Sequence, residues 1–190
     1  MKKQYLLQSL ALTITSSRIG HHTMKNAFVI CLTLLLGACA HVYAPTDYKF
    51  DEKARPDMAS KGALRISSWQ SSTDEVEVAG VGIHRWTTTL KVLTDSMVRQ
   101  AQEQLQYSAK QGAGSEKTVE LKIMQLTSSS RGFYFKSSMI TQVRLGNGAI
   151  IDVRSEHASG WSVMQDLDGC IADGIIDVFK NSEIRRYLET

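Results

Sequence analysis

The residue with the clearest chemical role is Cys39, which closes the sequence Leu36-Gly37-Ala38-Cys39. A cysteine that follows two small residues and an apolar run is the pattern cut by the bacterial lipoprotein signal peptidase. We therefore predict signal cleavage between Ala38 and Cys39 and lipid attachment to the Cys39 thiol. The alternative is an ordinary signal sequence whose cleavage site happens to adjoin a cysteine.

Residues 1–38 have the layout of a signal peptide. Met24-Lys25-Asn26 is a short basic start, and residues 27–36 form the apolar run. A helix that spans a bilayer needs ~20 apolar residues, so this run is too short to be one. Because residues 1–23 fit no ordinary basic start, Met24 suits the true start better than Met1.

Lipid attached to Cys39 would anchor the chain in a membrane. Each acyl CH₂ group buried in a bilayer contributes ~0.8 kcal/mol, and two anchoring signals already hold a protein stably. By resemblance to proteobacterial lipoproteins, Ala40 in place of aspartate after the lipidated cysteine favours sorting to the outer membrane. We therefore expect a lipid-anchored outer-membrane protein whose folded part faces the periplasm.

The charge distribution argues against a nucleic-acid partner. The 190-residue chain has a net charge of +3 at pH 7, but residues 1–38 contain four basic side chains and no acidic one. The remainder therefore carries −1, which removes the electrostatic signature of nucleic-acid binding. The length of that remainder suits one domain with its own hydrophobic core.

The cysteine count leaves no disulfide framework. Cys31 lies in the signal peptide and Cys39 at its cleavage site, so Cys170 is the one thiol that remains. Its neighbours Leu167 and Ile171 on a predicted helix indicate a small buried apolar residue rather than a reactive thiol.

The sequence offers no arrangement that predicts catalysis, a cofactor or a metal. Three histidines follow the cleavage site without ligand spacing: His41, His84 and His157. Gly80-Val81-Gly82 begins like a dinucleotide fingerprint, but Arg85 replaces the third glycine and no βαβ unit surrounds it. We interpret residues 80–85 as a flexible loop in which His84, with the nearby Trp86, either packs or touches a ligand.

The elements that would hold these residues begin after a tether. Residues 39–61 contain both prolines and many charges without a period of 2 or 3.6, which predicts an extended tether that lifts the domain off the bilayer. Residues 62–67 and 76–78 alternate as strands. A helical stripe follows over residues 87–111, and Gly112 and Gly114 are the predicted stop of that helix.

Residues 117–161 predict a three-stranded antiparallel meander. Gly146-Asn147-Gly148 predicts one of its hairpin turns, because Asn and Gly tolerate the positive φ that tight turns require. The face of the sheet that points away from the core carries basic residues with acids between them. That face is either solvated or a partner or dimer surface. The surface would be centred on Ile140 and Ile150 and include Lys136, Arg144 and Arg154.

A second amphipathic helix is predicted over residues 164–189, with a new cap at Ser182. Asp166 and Asp168 near its start suit the positive end of the helix dipole. They resemble a calcium loop, but Gly169 stands at position four rather than six and the later ligands are absent. Together the elements predict one α+β domain over residues 62–190. We expect a two-layer sandwich with two helices on one face of a mostly antiparallel sheet, in the order β-α-β-β-β-α.

This layout resembles the YajG-like family of uncharacterised outer-membrane lipoproteins over about residues 62–189. The segment Thr118-Val-Glu-Leu-Lys-Ile-Met-Gln-Leu126 is similar to the first meander strand of that family. The segments Ile171-Ala-Asp-Gly-Ile-Ile-Asp-Val178 and Ser182-Glu-Ile-Arg-Arg-Tyr-Leu188 are similar to its closing helix. The resemblance implies an outer-membrane lipoprotein and supplies no catalytic residues. The element order also resembles LptE, the lipopolysaccharide-assembly lipoprotein, which has Gly and Phe where this chain has Ala40 and His41.

Two functions follow as expectations. The first is a non-catalytic periplasmic module that binds an envelope protein, or a second copy of itself, in cell-envelope assembly or maintenance. The second is an accessory lipoprotein for lipid or lipopolysaccharide transport that binds an apolar ligand or an outer-membrane assembly partner. An envelope enzyme is the third and least supported hypothesis, because no catalytic constellation is present in the sequence.

Overall fold

The computed structural model describes residues 39–50, 53–105 and 109–190. The predicted signal peptide, and Ala38 with it, lies outside these residues. The described chain is a mixed α+β fold, as predicted. Its strands are β1 (Cys39–Val42), β2 (Met58–Ser68), β3 (Glu75–Val81), β4 (His84–Thr89), β5 (Ala109–Ser130), β6 (Phe135–Leu145) and β7 (Ile150–Ser159). Its helices are α1 (Leu90–Leu105), α2 (Val163–Lys180) and α3 (Ser182–Glu189).

The element order differs from the predicted one at the amino-terminal side. In the described residues four strands, rather than one or two, precede α1, and the predicted order β-α-β-β-β-α is therefore not confirmed. After α1 the order is the one expected, with three consecutive strands and then helix. The closing helix is broken at Asn181, whose side chain accepts the N–H groups of Glu183 and Ile184 and so caps α3.

One seven-stranded sheet has the order β1-β4-β3-β5-β6-β7, and β2 pairs with β5 outside this path. Strand β5 is 22 residues long and takes two neighbours along one edge. Its first half pairs in parallel with β2, and Ser128 near its end pairs with Ala79 of β3. The antiparallel ladders β5–β6 and β6–β7 form the predicted meander.

Side chains close the gap that is left on the edge of β5 between β2 and β3. The Ile123 N–H donates to Thr94 Oγ1 on α1 at 3.0 Å, and Gln70 Nε2 donates to the Ile123 carbonyl at 2.8 Å. Since a buried backbone group without a partner is costly, these two contacts let the sheet change neighbours without exposing unpaired polar groups. The same contact with Thr94 fixes α1 against the sheet.

The core lies between the helices and the buried side of the sheet. Strands β5 to β7 alternate buried and more exposed residues, as expected for a sheet with one packed face. Gly174 on α2 lies against Met139 of β6, and Gly169 lies against the ring of His157 on β7. Large side chains with no more than 1% exposure include Leu93, Met97, Leu121, Ile123, Met139, Leu167, Ile171, Phe179, Ile184 and Leu188.

The prediction of an extended tether that lifts the domain off the bilayer is wrong for the described part of residues 39–61, because that part is docked on the domain. The first residues of that part form β1, and β2 already begins at Met58. Tyr43, Phe50 and Met58 belong to the hydrophobic core. Each of these apolar residues packs at a separate site of the core. They are therefore spaced without a period, and periodicity gave no signal for them.

The prediction of a flexible loop at residues 80–85 is also wrong. Strands β3 and β4 form an antiparallel hairpin whose turn is Gly82-Ile83, and Gly82 has a φ of +58°. A positive φ at the turn is the reason for glycine at this position. The first two glycines of the apparent fingerprint thus serve a hairpin.

Gly112 and Gly114 lie in β5 and do not end the first helix. A Cβ at either residue would collide with the Lys61 carbonyl group of β2, so both allow the backbones of the two parallel strands to approach closely. The sequence signal is the same for a helix stop and for a close strand contact. Only the non-local partner distinguishes the two.

No helix among the residues described is both long and apolar enough to cross a membrane.

We predict that Gly62→Ala destabilises the fold. A Cβ at this position would lie far inside van der Waals distance of the Ser115 carbonyl group on β5, and backbone cannot move aside as a flexible side chain can. The free energy of unfolding measured in urea should fall by about 1–3 kcal/mol. Ala63→Ser, at the exposed neighbouring position of the same strand, should change it by less than ~0.5 kcal/mol. Equal effects of the two variants would contradict this account of the β2–β5 contact.

Candidate functional site

Cys39 is exposed and is the first residue of a strand. Its N–H donates to the Ile83 carbonyl at 3.0 Å, and β1 pairs in parallel with β4 so that Cys39 lies opposite His84. The pairing continues to Val42 opposite Thr87. The predicted lipid attachment site therefore stands directly at the end of the sheet, where a modifying group could project without displacing the core.

A buried carboxylate holds the segment that follows β1. Asp168 on α2 accepts the Tyr43 hydroxyl at Oδ1 at 2.5 Å, and it accepts the Thr46 N–H at the same oxygen at 3.1 Å. The Thr46 hydroxyl donates to Asp168 Oδ2 at 2.5 Å. Hydrogen bonds to a carboxylate are stronger than neutral ones, and burial at 5% exposure makes the loss of any of them expensive. We call these three residues the clamp.

The Tyr43 hydroxyl is held in its protonated, donating form. Burial, and after it the hydrogen bond to Asp168, raises the pKa of Tyr43 far above its usual value near 10. A phenolate beside a carboxylate in a low-dielectric interior would repel it. The proton therefore stays on the phenol over the whole physiological range, and the hydroxyl remains a donor to Asp168.

Three rings lie beside Cys39 on the β1–β4 pair. The His41 and Trp86 rings are stacked with centroids 5.3 Å apart, and His41 Nε2 lies 2.9 Å from His84 Nδ1, where one nitrogen donates to the other. His84 and Trp86 therefore pack in a cluster on a strand. Within the described residues no group of three or more His, Cys, Asp or Glu side chains is arranged to hold a metal.

A second buried carboxylate ties α2 to the meander. Asp166 is fully buried, and its Oδ2 accepts the hydroxyls of Ser128 on β5 and Ser137 on β6. Asp166 and Asp168 thus both lie within α2. Asp166 accepts hydrogen bonds from the sheet, whereas Asp168 accepts them from the segment after β1. They serve packing between elements and do not form a calcium loop.

The predicted basic residues of the outer sheet face are placed in different environments. Lys136 forms an ion pair with Glu156 at 2.7 Å, and Arg144 forms one with Glu120 at 2.5 Å. The Arg144 guanidinium also lies 4.5 Å from the centre of the Trp69 ring. Exposed ion pairs contribute little to stability, so these two pairs set the arrangement of charge on the face more than they stabilise the fold.

The two isoleucines at the predicted centre of that face are separated. Ile140 lies opposite Arg154, whereas Ile150 lies opposite Arg144, four residues further along β6. At ~3.4 Å per residue this places them about 14 Å apart along the strands. The hydrogen-bonded pair Gln142–Asp152 lies between them. The face is therefore a polar surface with two apolar points rather than one apolar patch.

Cys170 is buried in the described structure, whereas Cys39 is exposed. Cys170 belongs to the core, and desolvation raises the pKa of its thiol, with nearby acidic residues adding to the effect. A thiol that stays protonated is a poor nucleophile. The prediction of a small buried apolar residue at this position is confirmed.

The clamp was not found in the sequence, although one signal for it was present. Tyr43 and Thr46 are separated from Asp168 by more than 120 residues, so no local pattern connects them. The available signal was Tyr43, an aromatic residue four positions after Cys39, with Tyr48 and Phe50 further along the same segment. Large aromatic residues in a stretch otherwise rich in polar residues indicate a docked segment rather than a tether.

We predict that Asp168→Ala releases the segment that follows β1. The variant leaves the buried Tyr43 hydroxyl without an acceptor and removes both hydrogen bonds of Thr46, so the free energy of unfolding should fall by on the order of 3 kcal/mol. In the folded protein, trypsin should then cut after the exposed Lys49 much faster than in the parent. Asp152→Ala on the outer face removes a single exposed hydrogen bond and serves as the matched control. Unchanged cleavage after Lys49 would show that the clamp does not hold the segment.

Comparison with known proteins gives this site no precedent, since no family model and no curated protein matches the chain. The YajG-like resemblance therefore stays a prediction that rests on residues 118–126 and 171–188. What the site does has to be argued from its own residues.

Proposed function

We propose that this chain is a lipid-anchored, non-catalytic module of the bacterial outer membrane that binds a protein in cell-envelope assembly or maintenance. The supporting observation is the position of Cys39. It completes a lipoprotein cleavage sequence and is exposed at the first residue of a docked strand. Acyl chains on its thiol would leave the sheet end without disturbing the core. Ala40 at the next position supports the outer membrane over the inner one.

The finer architecture belongs to the same proposal. We infer a two-layer sandwich in which α1 and α2 cover one face of the meander and leave the other to the periplasm. Burial supports this, because Val119, Leu121 and Ile123 on β5 are buried while the intervening positions are more exposed. Such a domain has one free sheet face to offer a partner.

The outer face is the proposed partner surface. Lys136 and Arg144 are paired with acidic residues of the same face, and its most exposed apolar residue is Ile150 beside Arg144. Paired charges on a rigid sheet keep their geometry, and that suits recognition of a polar partner of complementary charge. The partner is an envelope protein or a second copy of this chain. Co-purified lipid instead of a protein would favour the transport accessory.

We predict that Cys39→Ser prevents lipidation. Incorporation of an alkyne fatty acid should be lost, and the variant should leave the membrane fraction, because no acyl chain remains to hold it. Cys170→Ala is the matched control, since it removes the other described thiol from the core and should keep full labelling. If the Cys39→Ser variant stays with the membrane and the label, the lipoprotein proposal is wrong. Ala40→Asp should shift the lipidated protein to the inner-membrane fraction.

We further predict that Ile140→Lys with Ile150→Lys abolishes binding of the envelope partner. Lysine at these outer positions disturbs the surface while the core is untouched, so the free energy of unfolding should change by less than ~1 kcal/mol. Crosslinking in intact cells measures the binding, and Val92→Lys on α1 is the control because Val92 is an exposed apolar residue outside the sheet. Crosslinks that persist in the double variant would exclude the outer face as the partner surface.

A further inference from the structure

Three turns and Cys39 meet at one end of the sheet. Cys39 lies opposite His84, directly after the β3–β4 turn at Gly82-Ile83. Since Ala79 of β3 pairs in parallel with Ser128 of β5, the β5–β6 turn at residues 131–134 lies at the same end. Phe135 pairs with Ser159, so the residues that lead from β7 to α2, 160–161, lie there as well. We call this the anchor end.

The anchor end concentrates exposed apolar side chains. Of the large apolar side chains that are exposed in the described residues, Phe133 is 100% exposed, Trp161 86%, Val42 82% and Ile83 58%. Phe133, Trp161 and Ile83 lie on the turns of the anchor end, whereas Val42 lies opposite Thr87 at the other end of β1. Single exposed apolar residues are normal, but three of the four most exposed ones on the turns of one end call for an apolar or interfacial environment.

The charge of the same turns is compatible with a phospholipid surface. Residues 82–83, 131–134 and 160–161 contain one charged side chain, Arg131, and no carboxylate. Arg131 is exposed beside Phe133. Tryptophan and other amphipathic aromatic residues favour the headgroup level of a bilayer, and an arginine at that level can bind lipid phosphate.

The anchor end is joined to Cys39 without a flexible linker. β1 is paired with β4, and the clamp fixes the segment behind it to α2. From β1 to β7 the sheet path has six strands, which at ~4.8 Å per step makes the end about 24 Å wide. Lipid inserted at Cys39 therefore brings the remaining turns of this narrow edge close to the same surface.

We propose that the anchor end sits on the bilayer interface, with Ile83, Phe133 and Trp161 inserted among the headgroups of the leaflet that holds the lipid of Cys39. This inference rests on the proposed lipidation. Strand β6 then points away from the membrane and, at ~3.4 Å for each of its 11 residues, carries the opposite hairpin turn at Asn147 about 37 Å from it. The anchor fixes orientation as well as location.

The test compares the two turns at the ends of β6 in the full, lipidated protein. Phe133→Cys and Asn147→Cys, each with Cys170→Ala, are labelled with a nitrobenzoxadiazole dye and reconstituted into vesicles of phosphatidylethanolamine and phosphatidylglycerol. The vesicles contain a lipid spin-labelled near its headgroup. We expect the dye at position 133 to shift to the blue and lose most of its emission, and the dye at 147 to emit as in water. Brominated lipid should quench wild-type tryptophan emission more strongly than that of Trp161→Phe.

Flotation of the same samples separates the possible failures. If the lipidated protein floats with the vesicles but both dyes emit as in water, the lipid anchor exists but the anchor end does not contact the bilayer interface. A quenched dye at position 147 would also contradict the proposal, because it would place the opposite end of the sheet at the membrane. If the protein does not float at all, both the lipid anchor and the contact of the anchor end with the bilayer are excluded.

Discussion

The buried carboxylate of Asp168 determines how the segment that begins at Cys39 is connected to the rest of the protein. A carboxylate in a protein interior is stable only when donors replace its lost water, and here all three donors come from the segment directly after β1. The segment in turn needs the carboxylate, because its buried tyrosine hydroxyl would otherwise lack a partner. The carboxylate and the segment thus supply hydrogen-bond partners to each other. The segment after β1 has the composition of a linker, yet it is part of the domain.

Helix α2 joins the segment after β1 to the meander through two aspartates that are two residues apart near its start. Asp168 binds Tyr43 and Thr46, while Asp166 accepts hydroxyl groups of Ser128 and Ser137 from β5 and β6. Between them, the fully buried Leu167 belongs to the hydrophobic core. A displacement of this helix would therefore disturb the segment after β1 and the sheet together. The connection is short, polar and buried, and its hydrogen-bonding groups cannot be replaced by water without opening the core.

The parts of the fold that depend on local patterns could be predicted, and those that depend on distant partners could not. The alternation of Val119, Leu121 and Ile123 gave the central strand, and Gly146-Asn147-Gly148 gave the hairpin turn. Gly112 was misassigned because a glycine admits a close strand as readily as it ends a helix. The outer residues were assigned to the correct face, but their spacing along β6 and β7 depends on register, which alternation alone leaves open. The clamp joins residues more than 120 apart and had no local pattern.

The hydrogen bond from the Cys39 N–H to the Ile83 carbonyl has a consequence for the order of events during export. A peptidase binds its substrate as an accessible, extended segment, and the bond that precedes Cys39 is the one to be cut. Once β1 has paired with β4, Cys39 is held at the end of a formed sheet and no longer belongs to a free extended segment. If Cys39 is processed as proposed, cutting and acylation come before β1 docks. The last strand added to the sheet would then be its first in sequence, and its addition would draw the finished domain down onto the lipid.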